Sequence, residues 1–183
     1  TFTTDAFGGG QLLEWLEHCV FPAESRLSDA AFADVVARAF VRRRVAAGTT
    51  AALVFGSAFP AAQDALFGRT LEAGLRIVSG RGIQTVGSPA AAALLTGADE
   101  AIALTRDEID RWHGVEASGR ASEARRALAQ VAVVPRFSLS VTTDTLRRLG
   151  DLYGEVRADG VYFHSHLNEN DRPDDGEIAA VRD

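Results

Sequence analysis

A helix-to-strand connection recurs three times along the chain, and it limits the possible folds more than any other feature. In each copy a helical stretch ends at a glycine and an apolar run follows at once: AAGTTAALVFG from Ala46, EAGLRIVSG from Glu72 and ADGVYFHSH from Ala158. The glycines Gly48, Gly74 and Gly160 stand where a helix C-terminus favours left-handed backbone. The pattern predicts that a buried strand follows each of three helices.

A fourth apolar run, VAVVPRF from Val131, completes a set of strands that start near 50, 76, 131 and 161. The runs are continuous rather than alternating, as expected when helices cover a parallel sheet. Helices are expected at about 30–46, 60–73, 105–129 with a break, and 143–158. This order of elements predicts an α/β fold with right-handed crossovers.

Local patterns suggest where three of the helices begin. Thr105 and Glu108 have the spacing of a capping box, Ser28 can cap the first long helix, and Asp174–Asp183 resembles the start of another helix. A doubly wound sheet and a barrel both fit the element order. A complete (β/α)8 barrel takes about 250 residues, so the four units would form about half of one.

The composition excludes several classes of function. The 183 residues are 46% hydrophobic with a net charge of −6, as in a one-domain soluble globular protein. There is no lysine, which excludes Schiff-base and P-loop chemistry, and the single Cys19 cannot build a thiolate zinc site. No apolar run reaches the roughly 18 residues of a membrane span. Because the chain starts at Thr1 and contains no Met, we expect a fragment or a processed product.

Two further features argue against the binding of nucleic acids and of dinucleotide cofactors. The acidic balance argues against a nucleic-acid partner, and the basic run 42–44 would fan around a helix as a solvated surface. The segment GRGIQTVG, which follows the second strand, has Thr85 in place of the third glycine of a dinucleotide fingerprint. We expect a flexible loop there.

Polar side chains follow the last strand, at the end where α/β proteins place their sites. His164 and His166 are two residues apart, so both rings should point to one side of the strand. Glu169 can turn back over the same opening. Two imidazoles can bind a divalent metal, and a carboxylate beside a metal-bound water suits hydrolysis. The alternative is a buried, hydrogen-bonded histidine pair with capping Asn and Glu residues.

Arg136 and Phe137 end the neighbouring strand and are expected to project toward the same opening. A guanidinium offers a planar fork of donors for two adjacent acceptors, such as O6 and N7 of guanine. A phenyl ring offers a face on which a purine can stack. The pair therefore suits a purine, although an arginine at a strand end, taken alone, is more often an ion-pair partner than a ligand clamp.

The segments LLEWLEHCVFPAESR, AGTT before a strand, VVPRFSLS and FHSHLNEN occur in that order over nearly the whole chain. In this combination the sequence resembles the guanine deaminase family, within the metal-dependent amidohydrolase superfamily. PRFSLS is the discriminating piece, since related deaminases and chlorohydrolases tend to carry a His-Ala-Pro type segment there.

The resemblance implies the central part of a (β/α)8 catalytic barrel, about strands 2 to 5, spanning 1–183 and lacking both ends. It implies one zinc, with iron possible, and the conversion of guanine and water to xanthine and ammonia. Carried over by position, His166 becomes the metal ligand, His164 is demoted to a supporting role, and Glu169 becomes the proton shuttle. Arg136 and Phe137 would hold guanine or a related purine.

The family's other metal ligands have no counterpart in this sequence: a first-strand H-x-H, a sixth-strand His and an eighth-strand Asp. Since catalytic zinc generally takes three protein ligands, we expect the chain alone to be inactive. Because no basic-then-apolar leader opens the sequence, we expect its parent to be a cytoplasmic enzyme, with a homodimer as one option for its assembly. Three alternatives remain: an amidohydrolase for a different aminated ring or a formimino group, a non-catalytic half-barrel that assembles with another chain, and a doubly wound binding domain.

Overall fold

The computed structural model describes residues 11–167, 169 and 177. Its helices are α1 (Leu12–Trp15), α2 (Phe21–Ser25), α3 (Ala30–Ala46), α4 (Pro60–Glu72), α5 (Ala98–Trp112) and α6 (Thr143–Val156). Its strands are β1 (Ala51–Phe55), β2 (Arg76–Gly80), β3 (Gly82–Ile83), β4 (Val115–Glu116), β5 (Gly119–Arg120), β6 (Ala129–Pro135) and β7 (Tyr162–Phe163). The helix predicted over 174–183 lies outside the described residues, Glu177 excepted.

Four strands pair in parallel, in the spatial order β1, β2, β6, β7. The short β3 also pairs with β6 in parallel, whereas the β4–β5 hairpin lies antiparallel on β6 and makes the sheet mixed. Helices α3 to α6 alternate with the parallel strands along the chain. The predicted α/β class is confirmed.

The three predicted glycine connections are present. Gly48, Gly74 and Gly160 have φ angles of 74°, 66° and 98°, in the left-handed region that favours glycine. Strands β1, β2 and β7 follow them within three residues. The prediction that all three strands are buried is wrong, because only β2 has buried residues, whereas β1 is exposed or half-buried and both residues of β7 are exposed. Each glycine lets a helix end abruptly, so the next strand can enter the sheet at once.

Two predicted helix starts are wrong. Helix α5 begins at Ala98, and Thr105 lies inside it, where its hydroxyl donates to the Ala101 carbonyl over 2.8 Å. Asp29, not Ser28, caps α3, because its Oδ1 accepts from the amides of Ala31 and Phe32. The helix predicted to resume toward 129 is also absent, since α5 ends at Trp112 and the β4–β5 hairpin follows.

The core is built around β6, all seven residues of which are buried. One cluster joins Val133 to Leu149 and Leu152 of α6, and another joins Val131 to Phe67 of α4. Burial on both faces explains the continuous apolar run in the sequence. No helix among the described residues is both long and apolar enough to cross a membrane.

Gly80, at the carboxyl end of β2, lies directly against the backbone of β6. A methyl group there would overlap the Ala132 carbonyl oxygen and approach a methyl of Val134 to 2.8 Å. We therefore expect Gly80→Ala to lower the free energy of unfolding by about 2 kcal/mol or more, as overpacking does. Urea unfolding measures the change.

Gly68→Ala in α4 is the matched control, since nothing lies within 4 Å of the added methyl. It should raise stability by about 0.5–1 kcal/mol, as expected inside a helix. Equal effects of the two substitutions would contradict the close packing of β2 on β6.

Candidate functional site

The carboxyl ends of the parallel strands form an opening that we call the mouth, defined by Phe55, Arg136, His164, His166 and Glu169. These residues come from the ends of β1, β6 and β7 and from the segment after β7. The mouth thus lies where α/β proteins place their functional groups.

The two histidines extend the pairing of β7 with β6. The His164 amide donates to Val133 over 3.0 Å, and the His166 amide donates to Arg136 over 3.2 Å. Their ring centroids lie 6.2 Å apart, and both rings contact Phe55. The prediction that both point to one side of the strand is confirmed.

The Phe55 ring joins the end of β1 to the segment after β7. Its ring stacks on His166 at 4.1 Å between centroids and meets His164 edge-on at 5.0 Å. Strands β1 and β7 are three intervals apart in the strand order, which in a flat sheet would separate them by about 14 Å. The carboxyl ends of the strands therefore curl toward one another.

Glu169 turns back over the mouth. Its Oε1 lies 3.6 Å from His166 Nδ1, and its backbone amide donates to Glu177 Oε1 over 3.1 Å. Partial burial and the negative charge of Glu177 raise the pKa of Glu169, and the Arg136 guanidinium opposes that shift.

The surroundings favour neutral imidazoles at the mouth. Burial lowers the pKa of both His164 and His166, assisted by His166 in the first case and by Arg136 in the second. The buried Nδ1 of His164 has no hydrogen-bond partner among the described residues. Neutral imidazole nitrogens are the form that can accept a metal ion.

Arg136 is held by an ion pair at the edge of the mouth. Its Nη1 donates to Glu24 Oε2 over 2.8 Å, and both side chains are only 10% exposed. Its Cζ also lies 5.2 Å from the centre of the Phe21 ring. The guanidinium is therefore fixed by α2, far away in the sequence.

Phe137 does not open into the mouth as expected. Its side chain is 5% exposed and packs with Leu16, Phe21, Ala58 and Leu94. The backbone is extended at Phe137, with φ at −167°, and successive side chains in extended chain point to opposite sides. Arg136 and Phe137 therefore separate, and purine stacking on Phe137 stays a prediction.

A buried polar network lies behind the mouth. Gln63 Nε2 donates to Glu108 Oε1 over 2.9 Å, and the Arg81 amide donates to Glu108 Oε2 over 3.3 Å. Gln63 Oε1 accepts from the Ser57 amide. Burial raises the pKa of Glu108 to about 7, opposed by the Gln63 hydrogen bond and the Arg81 charge.

Three residues that shape this region were not predicted from the sequence. Glu24, Phe55 and Arg81 each contact a group at or behind the mouth. Glu24 was visible as a carboxylate in an apolar helical segment, and Arg81 as a charge directly after a buried strand. Neither pattern indicates which residue the side chain contacts, because these contacts join distant parts of the chain.

The described residues supply an incomplete metal site. Two imidazoles and one carboxylate stand at the mouth, but no group of three or more His, Cys, Asp or Glu among the described residues is placed to hold a metal ion. Catalytic zinc generally takes three protein ligands. The described part of the chain therefore does not provide a complete ligand set for catalytic zinc.

No protein-family model matches the chain. A Deinococcus radiodurans protein named "Probable guanine deaminase" is 38% identical over 174 residues, covering 95% of this chain and 35% of that protein. The solved structure of E. coli guanine deaminase is 28% identical, with a TM-score of 0.77 over 94% of this chain and 36% of that one.

The resemblance to guanine deaminases is confirmed. The chain spans about a third of the length of the relatives that it matches. A C. acetobutylicum guanine deaminase solved with bound guanine in its active site shares the fold, with a TM-score of 0.77 over 92% of this chain and 37% of that one at 20% identity. Guanine deaminases thus match this chain both in sequence and in fold.

Glu108 should make stability depend on pH. Its carboxyl releases a proton near pH 4.5 when unfolded and near pH 7 when folded, so the unfolded chain binds fewer protons between these values. The free energy of unfolding should therefore fall by a few kcal/mol as the pH rises through this window.

Urea unfolding of the wild type and of Glu108→Gln at pH 5 and pH 8 measures this contribution, which the variant should lack. Glu155→Gln is the control, because that carboxylate is 56% exposed. The same pH dependence in wild type and Glu108→Gln would contradict the shifted pKa.

Proposed function

We propose that this chain is the central part of a metal-dependent guanine deaminase, which converts guanine and water to xanthine and ammonia. In this proposal residues 1–183 belong to the catalytic barrel, and β1, β2, β6 and β7 are strands 2 to 5 of its eight. The observation that carries it is the meeting of Arg136, His166 and Glu169 at one mouth, in a chain 38% identical to a named guanine deaminase.

The curvature of the sheet supports a barrel over a flat, doubly wound sheet. The stacking of Phe55 on His166 brings together side chains from the carboxyl ends of the first and fourth parallel strands, which favours strands that approach one another there. Strands in a closed barrel tilt and curl in this sense. The remaining strands would come from parts of the complete enzyme outside this chain.

Guanine binding is assigned to Arg136 and Phe137. Nε and Nη2 of Arg136 make no hydrogen bond to the described part of the chain, so they remain available as donors. Two parallel N–H donors suit the O6 and N7 edge of guanine. Phe137 would contribute apolar surface beside the purine, which requires its ring to become more exposed than it is here.

The metal ligand in this chain is His166, with His164 in a supporting role. The remaining ligands would lie in other parts of the complete enzyme. Zinc, or iron in its place, would supply a hydroxide at neutral pH when bound. His166 is oriented for this role by the hydrogen bond that its backbone amide donates to the Arg136 carbonyl and by stacking on Phe55.

Glu169 is the proton shuttle. It takes the proton of the attacking water and delivers it to the ring nitrogen next to the amino-bearing carbon. It then takes the proton of the hydroxyl group newly formed on that carbon and gives it to the amino group, so that the C–N bond breaks, ammonia leaves and the 2-oxygen of xanthine remains. One residue must act as base and then as acid, and a partly buried carboxylate near a histidine suits this work.

An amidohydrolase that acts on a different aminated ring is the alternative. The relatives are named guanine deaminases, which favours guanine. The non-catalytic half-barrel has no specific observation in its favour. A cytoplasmic location and a homodimer stay predictions.

Glu169→Gln in the complete enzyme should abolish measurable turnover, with kcat lower by at least about a hundredfold, because an amide cannot accept and return the proton. The bound metal should stay at the wild-type level. Xanthine formation and metal content are measured on the same sample. Glu155→Gln is the control, and near-normal turnover of Glu169→Gln would remove Glu169 from this role.

The 183-residue chain alone should form no xanthine from guanine when zinc is added, because the described residues offer too few ligands. Ultraviolet absorbance follows the reaction, with the complete enzyme as the positive control. Turnover by the purified chain would contradict the proposal that the active site needs parts outside it.

A further inference from the structure

We propose that Glu24 is a positioning residue that holds the Arg136 guanidinium in the orientation that binds the purine. The inference rests on the proposed role of Arg136 in guanine binding. It adds α2 to the substrate site, although Glu24 and Arg136 are 112 residues apart in the sequence.

The Glu24 carboxylate is held on both oxygens. Oε2 accepts from Arg136 Nη1 at 2.8 Å, and Oε1 accepts from the Ala58 amide at 3.1 Å and from the Ser57 hydroxyl at 3.4 Å. The side chain is 10% exposed. A buried carboxylate with several hydrogen bonds has one strongly preferred place, so it can act as a fixed anchor.

The anchor is itself supported from behind. The Ala58 peptide donates to Glu24 through its amide, and its carbonyl accepts from Arg81 Nη2 over 2.9 Å. The Ser57 amide donates to the buried Gln63. These contacts connect the loop between β1 and α4 to Arg81, directly after β2, and to Gln63 of α4. They keep Glu24 at a fixed position relative to the mouth.

Arg136 is restrained in orientation as well as in position. Phe21 and Glu24 lie one turn apart on α2 and contact the guanidinium by a ring and by a charged hydrogen bond. With Nη1 committed to Glu24, Nε and Nη2 remain to donate elsewhere. Pre-ordering a long side chain removes an entropic cost from ligand binding.

Arg81 is a second buried arginine behind the mouth, but it is not placed to bind a ligand. Nε and Nη1 of Arg81 are buried without hydrogen-bond partners among the described residues, and the side chain is only 2% exposed. Arg81 is sealed within the structure, whereas Arg136 keeps donors that are not buried in this way. Of these two arginines, Arg136 is the one that can serve a ligand.

A double-mutant cycle in the complete, metal-loaded enzyme tests the proposal. Glu24→Gln should raise the KM for guanine about tenfold to a hundredfold, the usual effect of a lost charged hydrogen bond, with kcat changed by less than about threefold. Arg136→Ala should raise KM at least as much. The double variant should match Arg136→Ala, because Glu24 acts only through Arg136.

The inhibition constant of 2-aminopurine separates positioning of Arg136 from a purely structural role of Glu24. A purely structural role would weaken the binding of guanine and of 2-aminopurine alike. This compound has the purine ring and the amino group but no 6-oxygen. Because 2-aminopurine keeps N7 but lacks O6, it retains only part of the contact with Arg136, so Glu24→Gln should raise its inhibition constant by a clearly smaller factor than it raises the KM for guanine. Equal weakening of both compounds would overturn the positioning role.

Asp34→Asn is the matched control, because it breaks the Asp34–Arg69 ion pair of 2.6 Å on α3 and α4, outside the mouth. It should leave KM unchanged. If Glu24→Gln does not fold, Glu24→Asp keeps the charge and withdraws it by one carbon, and it should still raise KM selectively for guanine. An unchanged KM in that variant would overturn the proposal.

Failure of the Glu24 inference and failure of the proposed function give different results. If Arg136→Ala raises KM but Glu24→Gln has no effect, or adds fully to Arg136→Ala, then Glu24 is not the positioning residue and the proposed function stands. If Arg136→Ala leaves KM unchanged, the guanine role of Arg136 is wrong, and the inference about Glu24 falls with it.

Discussion

The burial of β6 is the constraint on which the rest of this structure depends. All seven of its residues are buried, and it pairs with β2, β3, β4 and β7. Because helices cover both of its faces, its register is set by packing as well as by hydrogen bonds. The strand delivers Arg136 to the mouth and, through β7, places the two histidines beside it.

The same burial raises the free-energy cost of charged groups behind the mouth. Hydrogen bonds and ion pairs between these groups reduce that cost. Removing one partner of a buried pair leaves the other as an uncompensated charge. Arg136 therefore depends on Glu24, and Glu108 on Gln63 and on the nearby charge of Arg81. A network of this kind adds little net stability, but it permits few alternative arrangements, which suits a site that must present donors in one geometry.

Local patterns predicted much of the fold. Gly48, Gly74 and Gly160 marked the helix ends because left-handed backbone is a local property of glycine, and the strands could be read from continuous apolar runs. The helix starts were less predictable. Thr105 and Glu108 have the spacing of a capping box, yet tertiary packing extends α5 back to Ala98.

The site was predictable only in part. Strand parity placed His164 and His166 together correctly, since it depends on spacing alone. The partners of Arg136 could not be read in the same way, because Glu24 reaches it across 112 residues. Phe137 illustrates a second limit, since an apolar side chain at a strand end can face an opening or a core, and only the extended backbone decides which.

The most direct test of this account is a crystal structure of the complete, metal-loaded enzyme with guanine bound. We expect Arg136 to donate to the purine through Nε or Nη2 while Nη1 remains on Glu24, with Glu169 within hydrogen-bond reach of the amino-bearing side of the ring. Guanine bound away from Arg136, or a Glu169 carboxylate turned away from the ring, would contradict the account.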